Sequence, residues 1–83
     1  MPKRRVAYLT LNASILIKTM PTKTDDVLNA TRKLKGVRKA FIAYGRYDLV
    51  AFAKVEDYAE VRKLTGAINS LEGVRSTETL VEA

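Results

Sequence analysis

Leu34-Lys-Gly-Val-Arg38 and Leu71-Glu-Gly-Val-Arg75 are two versions of one phrase set 37 residues apart. In each, an apolar residue closes a helical pattern, the glycine supplies a left-handed stop, and the valine opens a strand-like run. Before the first copy, Val27, Leu28, Thr31 and Leu34 recur on one helical face. Asp25 and Asp26 stand in the first turn, where the helix dipole favours negative charge, and Thr22 or Thr24 is the expected cap. This gives a helix over Thr24–Lys35. Before the second copy, Asp57 caps a helix in which Tyr58, Val61, Leu64, Ile68 and Leu71 recur at spacings of three and four.

The flanks are strands. Ser14-Ile-Leu-Ile-Lys18 is short, apolar and β-branched, and Pro21 follows it closely. Val37–Tyr44 and Leu49–Val55 are apolar runs joined by Gly45-Arg-Tyr-Asp48, a turn composition, and so read as a hairpin. Val74–Val81 closes the chain as a strand with Thr77, Thr79 and Val81 on one face. Two strand-helix-strand halves joined head to tail predict an α+β fold, the ferredoxin-like βαββαβ order, with a four-stranded antiparallel sheet and both helices on one face. Residues 13–83 form the domain. Residues 1–12 read as a basic extension, with Arg5–Leu11 as a candidate extra strand.

Eighty-three residues hold one domain, and a domain this short buries only about 60 to 65% of its unfolded surface. Its core is thin, and the strands carry more apolar side chains than one helix layer covers. Ile15 and Ile17 oppose Leu16. Leu49, Ala51, Ala53 and Val55 oppose Val50 and Phe52, while Ala40, Ile42 and Tyr44 oppose Val37, Phe41 and Ala43. Leaving that second face in water is costly at about 25 cal/mol per Å2, so the expected remedy is a homodimer packed sheet on sheet. An N-terminal segment folded over the open face is the competing arrangement.

Cysteine and histidine are both absent. Disulfides, thiolate nucleophiles and thiolate zinc sites go with the first. The usual general base near neutral pH goes with the second, together with the Ser-His-Asp and Cys-His arrangements. The expectation is a protein that is not an enzyme and uses no metal or cofactor. No apolar run approaches the eighteen or so residues that span a bilayer, and the basic start lacks a signal-peptide pattern, so a cytoplasmic protein with no membrane contact is expected. The net charge of +6 is unevenly spread. Met1–Arg46 carries eleven Lys and Arg against two Asp, a balance of +9, and Tyr47–Ala83 carries four against seven acids, a balance of −3. Such asymmetry suits contacts between copies of the chain as well as a polyanion.

Four stretches resemble the regulation-of-amino-acid-metabolism (RAM) domain, the effector-binding half of Lrp/AsnC transcription regulators. They are Ile15-Leu-Ile-Lys-Thr19, Gly36-Val37, Tyr44-Gly-Arg-Tyr-Asp-Leu-Val50 and Gly73-Val-Arg-Ser-Thr-Glu-Thr79. The resemblance runs from about Ala13 to Val81. It implies sheet-to-sheet dimers that assemble into rings, commonly octamers, and a small amino acid bound where dimers meet. Carried onto this sequence, the ligand-contacting positions are Gly45, Tyr47, Asp48, Leu49, Thr77 and Thr79. Asp48 would accept the ligand ammonium, while backbone N–H groups near Gly45 and the hydroxyls of Thr77 and Thr79 would bind its carboxylate. Only about twelve residues stand where the regulators have a helix-turn-helix. The resemblance therefore implies a stand-alone version that does not bind DNA directly and has full-length Lrp/AsnC regulators as candidate partners.

Each of these residues also has a plainer duty. Gly45 serves a turn that needs positive φ, Asp48 bonds its own backbone in a turn, and Thr77 and Thr79 are good strand formers. Tyr44 and Tyr47 suit an interface with the hydroxyl at the rim. The run Arg32, Lys33, Lys35, Arg38 and Lys39 suits a solvated helix end. A nucleic-acid-binding ferredoxin-like sheet is the alternative function. Against it, Phe41 and Phe52 lack the basic-glycine-aromatic pattern of RNA-reading sheets. A small enzyme of the dimeric α/β-barrel kind is a third reading and would have only carboxylates, Lys and Tyr for its chemistry.

Overall fold

The computed structural model describes residues 10–82. Strand β1 is Leu11–Thr19, and a 3-10 turn over Pro21–Lys23 leads into helix α1, Thr24–Arg32. Strands β2, Val37–Ile42, and β3, Leu49–Val55, make the hairpin, followed by helix α2, Tyr58–Asn69, and strand β4, Val74–Val81. The sheet order is β2-β3-β1-β4 with all neighbours antiparallel, the expected ferredoxin-like arrangement. The candidate strand over Arg5–Leu11 falls mostly outside the described residues; of its last two residues, which are described, Thr10 is not in a strand and Leu11 starts β1.

Both exits of the repeated phrase take the same shape. Leu34 N donates to Thr31 O at 3.1 Å and Leu71 N to Ile68 O at 3.0 Å. Val37 N and Val74 N then reach back to Leu34 O and Leu71 O at 3.2 and 3.3 Å. Gly36 and Gly73 sit at φ +95° and +98°. The helices are shorter than the apolar pattern suggests because each phrase winds down through these tight turns, and α1 stops at Arg32. Its start also differs from expectation. Neither Thr22 nor Thr24 caps α1: Lys23 occupies the cap position with no side-chain capping bond, and the Thr24 hydroxyl instead meets Thr19 Oγ1 at 2.7 Å. Helix α2 begins as expected, with Asp57 Oδ1 accepting from Glu60 N at 2.9 Å, and Glu60 Oε1 accepts from Glu56 N at 3.0 Å.

The core lies between the sheet and the two helices. Ile15, Ile17, Leu49 and Ala51 meet Val27, Leu28, Val61, Leu64 and Ile68, all buried. At about 1.5–3 kcal/mol for each fully buried aliphatic side chain, this layer supplies most of the drive to fold. Thr31 is buried in the same layer, and its hydroxyl has no hydrogen-bond partner. Arg32 clasps the sheet edge, its Nε and Nη2 donating to Ala40 O at 3.1 and 2.9 Å.

The opposite face of the sheet is open. Beyond the Lys18–Ser76 pair at the hairpin end, its first full row across the strands is Phe41, Val50, Leu16 and Glu78, and its second is Lys39, Phe52, Ser14 and Leu80. Lys54, Asn12 and Glu82 make the third, Glu82 N donating to Asn12 O at 3.0 Å. Apolar surface is present as expected, with Phe52 41% and Leu80 52% exposed, but it forms a band flanked by charge. Two of the expected face assignments change. A register irregularity between Val37 and Lys39 turns Val37 toward the core, and β2 ends at Ile42, so Tyr44 projects from the hairpin almost fully exposed.

Candidate functional site

The hairpin connection from β2 to β3 closes with Ala43 N donating to Asp48 O at 2.8 Å, and Asp48 N donates across to Ile17 O at 2.9 Å. Those two bonds hang the turn over the end of β1. Gly45 sits at φ +133°, and a Cβ built there would meet nothing within 4 Å, so glycine serves the backbone conformation rather than a tight fit. Asp48 is half-buried. Its Oδ2 accepts from Thr19 N at 2.8 Å and stands 3.4 Å from Thr19 Oγ1, which in turn meets Thr24 Oγ1. The carboxylate thus ties the end of β1 to the first turn of α1, where the helix dipole welcomes an anion. Thr19 is buried, and its part in this chain of bonds has no signal in the sequence beyond its place at the end of an apolar strand.

Tyr47 reaches in another direction. Its hydroxyl donates to Glu78 Oε1 on β4 at 2.5 Å, on the far side of the sheet from β2. That bond to a carboxylate, reinforced by desolvation and by the Glu78 charge, raises the phenol above its ordinary value near 10, with Arg46 pulling weakly the other way. Glu78 was not among the expected site residues; its place beside Leu16 on the open face is the feature that would have singled it out.

Leu49 is a core residue opposite Ile17, and Thr77 is opposite Ile17 on its other side, so one row runs Leu49, Ile17, Thr77. Thr79 is one row further on, opposite Ile15. Thr77 Oγ1 donates to Asn69 Oδ1 at 3.1 Å, and Thr79 Oγ1 pairs with Thr65 Oγ1 at 3.2 Å, so both hydroxyls fasten β4 to α2. Gly45, Tyr47, Asp48, Leu49 and Thr77 therefore gather at the hairpin end of the sheet, with Thr79 just behind them. Their polar groups point three ways, toward α1, toward α2 and across the open face. A cavity of about 700 Å3 lies at the far end, lined by Gly36, Val37, Lys54, Leu64 and their neighbours, and none of the six expected residues borders it. Among the described residues no group of three or more Asp or Glu is placed to hold a metal ion, and no helix is long and apolar enough to cross a membrane.

The residues thus build an open-faced four-stranded sheet backed by two helices, with polar groups collected at one end. A model of the Lrp/AsnC ligand binding domain matches residues 12–82, and the chain belongs to that family, a regulatory ligand-binding domain of transcription regulators and not an enzyme family. A crystal structure of a Thermus thermophilus protein superposes with a TM-score of 0.85 at 34% identity, over 88% of this chain and 92% of that one. Escherichia coli AsnC gives 0.81 at 19% identity, over 99% of this chain and 60% of that one. A transcriptional regulator of Neisseria meningitidis, solved in complex with L-Met, gives 0.77 at 19% identity, over 100% of this chain and 58% of that one. At those last two identities the likeness is one of fold. No curated protein sequence matches the chain.

Proposed function

We propose that this chain is a non-enzymatic effector-binding and oligomerisation module of transcriptional regulation, that its effector is a free amino acid, and that the effector sits at the hairpin end where a second dimer completes the pocket. One observation carries the reading: the hairpin turn with Gly45, Tyr47 and Asp48 and the strand with Thr77, from two separated parts of the chain, come to one end of the sheet. The L-Met held by the Neisseria regulator supports an amino acid as the ligand class. Asp48 is the group for the ammonium. Its Oδ2 is already engaged by Thr19, which fixes the carboxylate before a ligand arrives and lowers the cost of ordering it.

In this reading the unit comprises residues 13–83, works in the cytoplasm, dimerises through the open face and assembles further to an octamer. It does not bind DNA itself and acts through full-length Lrp/AsnC regulators that share its sheet. Isothermal titration with a panel of amino acids tests the effector. One or a few are expected to bind, and Asp48→Asn, which keeps an oxygen for Thr19 while removing the charge, is expected to weaken binding about tenfold or more. No heat from any amino acid would remove the effector role and leave assembly alone. A DNA shift that weakens steeply between about 50 and 200 mM salt would instead favour a polyanion partner.

A further inference from the structure

We propose that the cavity remote from the hairpin is a second small-molecule site, and that it takes an aliphatic carboxylate, with the hydrocarbon chain against its floor and the head group at its mouth. The inference goes beyond the effector reading above and does not depend on it.

The internal repeat shows that this cavity belongs to one half of the chain and is not imposed by the fold. The same 37 residues that separate Gly36 from Gly73 separate Lys23 from Glu60 and Val27 from Leu64. In one half the start of the helix closes onto the glycine: a Cβ on Gly73 would stand 2.4 Å from Lys23 Cβ and 3.3 Å from Val27 Cγ2. In the other half the helix start stays back. A Cβ on Gly36 would instead meet Val55 Cγ1 at 3.3 Å and Lys54 O at 3.6 Å, atoms of the sheet and not of α2. Glu60, in the place of Lys23, is directed to its own helix start, where its Oε1 accepts from Glu56 N at 3.0 Å. The gap left between Gly36 on one wall and Glu60 and Leu64 on the other is the cavity of about 700 Å3. Pockets for small molecules run from about 300 to 1,000 Å3.

The lining selects the ligand. Leu34, Val37, Val55, Leu64 and Ala67 make an aliphatic floor; Val55 and Leu64 are buried and the other three half-buried. No described residue bordering the cavity is aromatic, so a ring or a nucleobase finds no face to stack on, whereas a hydrocarbon chain needs none. Lys35, Arg38 and Lys63 border the floor and are exposed, as is Lys54, which also stands in the third row of the open face. The acids are Glu56 and Glu60, so four bases stand against two acids, a balance of +2. That excess selects an anionic head group. A carboxylate suits both a lysine ammonium and the guanidinium fork of Arg38, and an ammonium on the same chain would meet like charge.

Isothermal titration of the full chain with butyrate, hexanoate and octanoate tests the site. Affinity is expected to climb with length, about two- to fourfold for each methylene buried, and octylammonium is expected to bind about tenfold more weakly than octanoate, or less. Lys35→Glu/Lys63→Glu, at two exposed positions, is expected to weaken octanoate binding about tenfold or more. Ala67→Phe, which fills the floor, is expected to abolish it, and far-UV circular dichroism checks that both variants are folded. Amide NMR shifts locate the bound chain; they are expected at Gly36, Val55 and Ala67 and not at Gly45 or Thr77, which keeps this site distinct from the hairpin end. Equal affinity across the acid series reveals an anion held by surface lysines alone and overturns the proposal, as does octylammonium binding as tightly as octanoate. Shifts confined to Leu16, Val50 and Phe52 assign the chain to the open face and overturn it as well. Octanoate that binds only after residues 1–9 are deleted gives the cavity to that segment, and octanoate that binds in neither form leaves it without this ligand; either result refutes the assignment.

Discussion

Leu34 and Leu71 hold matching stations in the two halves of the chain, and so do Thr31 and Ile68, three residues before each. The backbone is the same at both: a one-turn wind-down, a glycine at positive φ, and a valine bonded back to the leucine. The surroundings are not. A Cβ on Gly73 would stand 2.4 Å from Lys23 Cβ and 3.3 Å from Val27 Cγ2, whereas on Gly36 it would approach Val55 Cγ1 at 3.3 Å. Ile68 fills its place with hydrocarbon, and Thr31 leaves a hydroxyl there without a partner. At their starts, α2 is capped by its own Asp57 and α1 is held from outside, through Thr24, Thr19 and Asp48. The second half is secured by residues of its own helix and the first by contacts with the hairpin end. A shared local sequence sets the shape, and the neighbours set the energy.

The glycines offer the largest test. Gly73→Ala places a side chain in a left-handed conformation and drives it into the stem of Lys23, so a loss of about 3–4 kcal/mol is expected in denaturant melts. Gly36→Ala suffers mainly the conformational strain, about 1–2 kcal/mol. Equal losses would erase the claimed difference. Next come the paired core positions. Ile68→Thr is expected to cost about 2–3 kcal/mol, since it loses buried methyls and introduces an unmet hydroxyl, while Thr31→Val should be neutral or stabilise by about 1 kcal/mol. A clearly destabilised Thr31→Val would show that the hydroxyl has a partner after all. The caps are a smaller contrast: Asp57→Ala should cost about 1 kcal/mol, and Lys23→Ala at the uncapped start well under that, by thermal melts. Smallest of all is the hairpin. With its phenol raised, Tyr47 contributes fully below an unfolded value near 10, and that contribution fades as pH climbs through the higher folded value. Alkaline titration at the phenolate absorbance should show a late-ionising component that Tyr47→Phe removes.

The fold was legible because its signals were local. Alternating apolar residues, two glycine stops and one capping aspartate fixed the order of elements, and β3 and β4 fall where their composition placed them. The misreadings came from contacts distant in sequence. Thr24 looked like a cap, but Thr19 captures its hydroxyl; Val37 was grouped on one face with Phe41 and Ala43, but a register irregularity turns it to the other. The six site residues were named through a family likeness, and composition alone would not have separated Asp48 from any turn aspartate. What the sequence did not carry was direction. Tyr47 reaches for Glu78 while Thr77 and Thr79 turn to α2, and such choices depend on which elements become neighbours.

Antiparallel pairing of β1 with β4 has a further effect. Asn12, near the beginning of the first strand, and Glu82, just past the last one, are bonded side by side, so the polypeptide enters and leaves through one doorway, remote from the hairpin. A unit wired in this way can be spliced onto another polypeptide at its head, its tail or both, with no tether crossing the turn that carries Gly45 and Asp48.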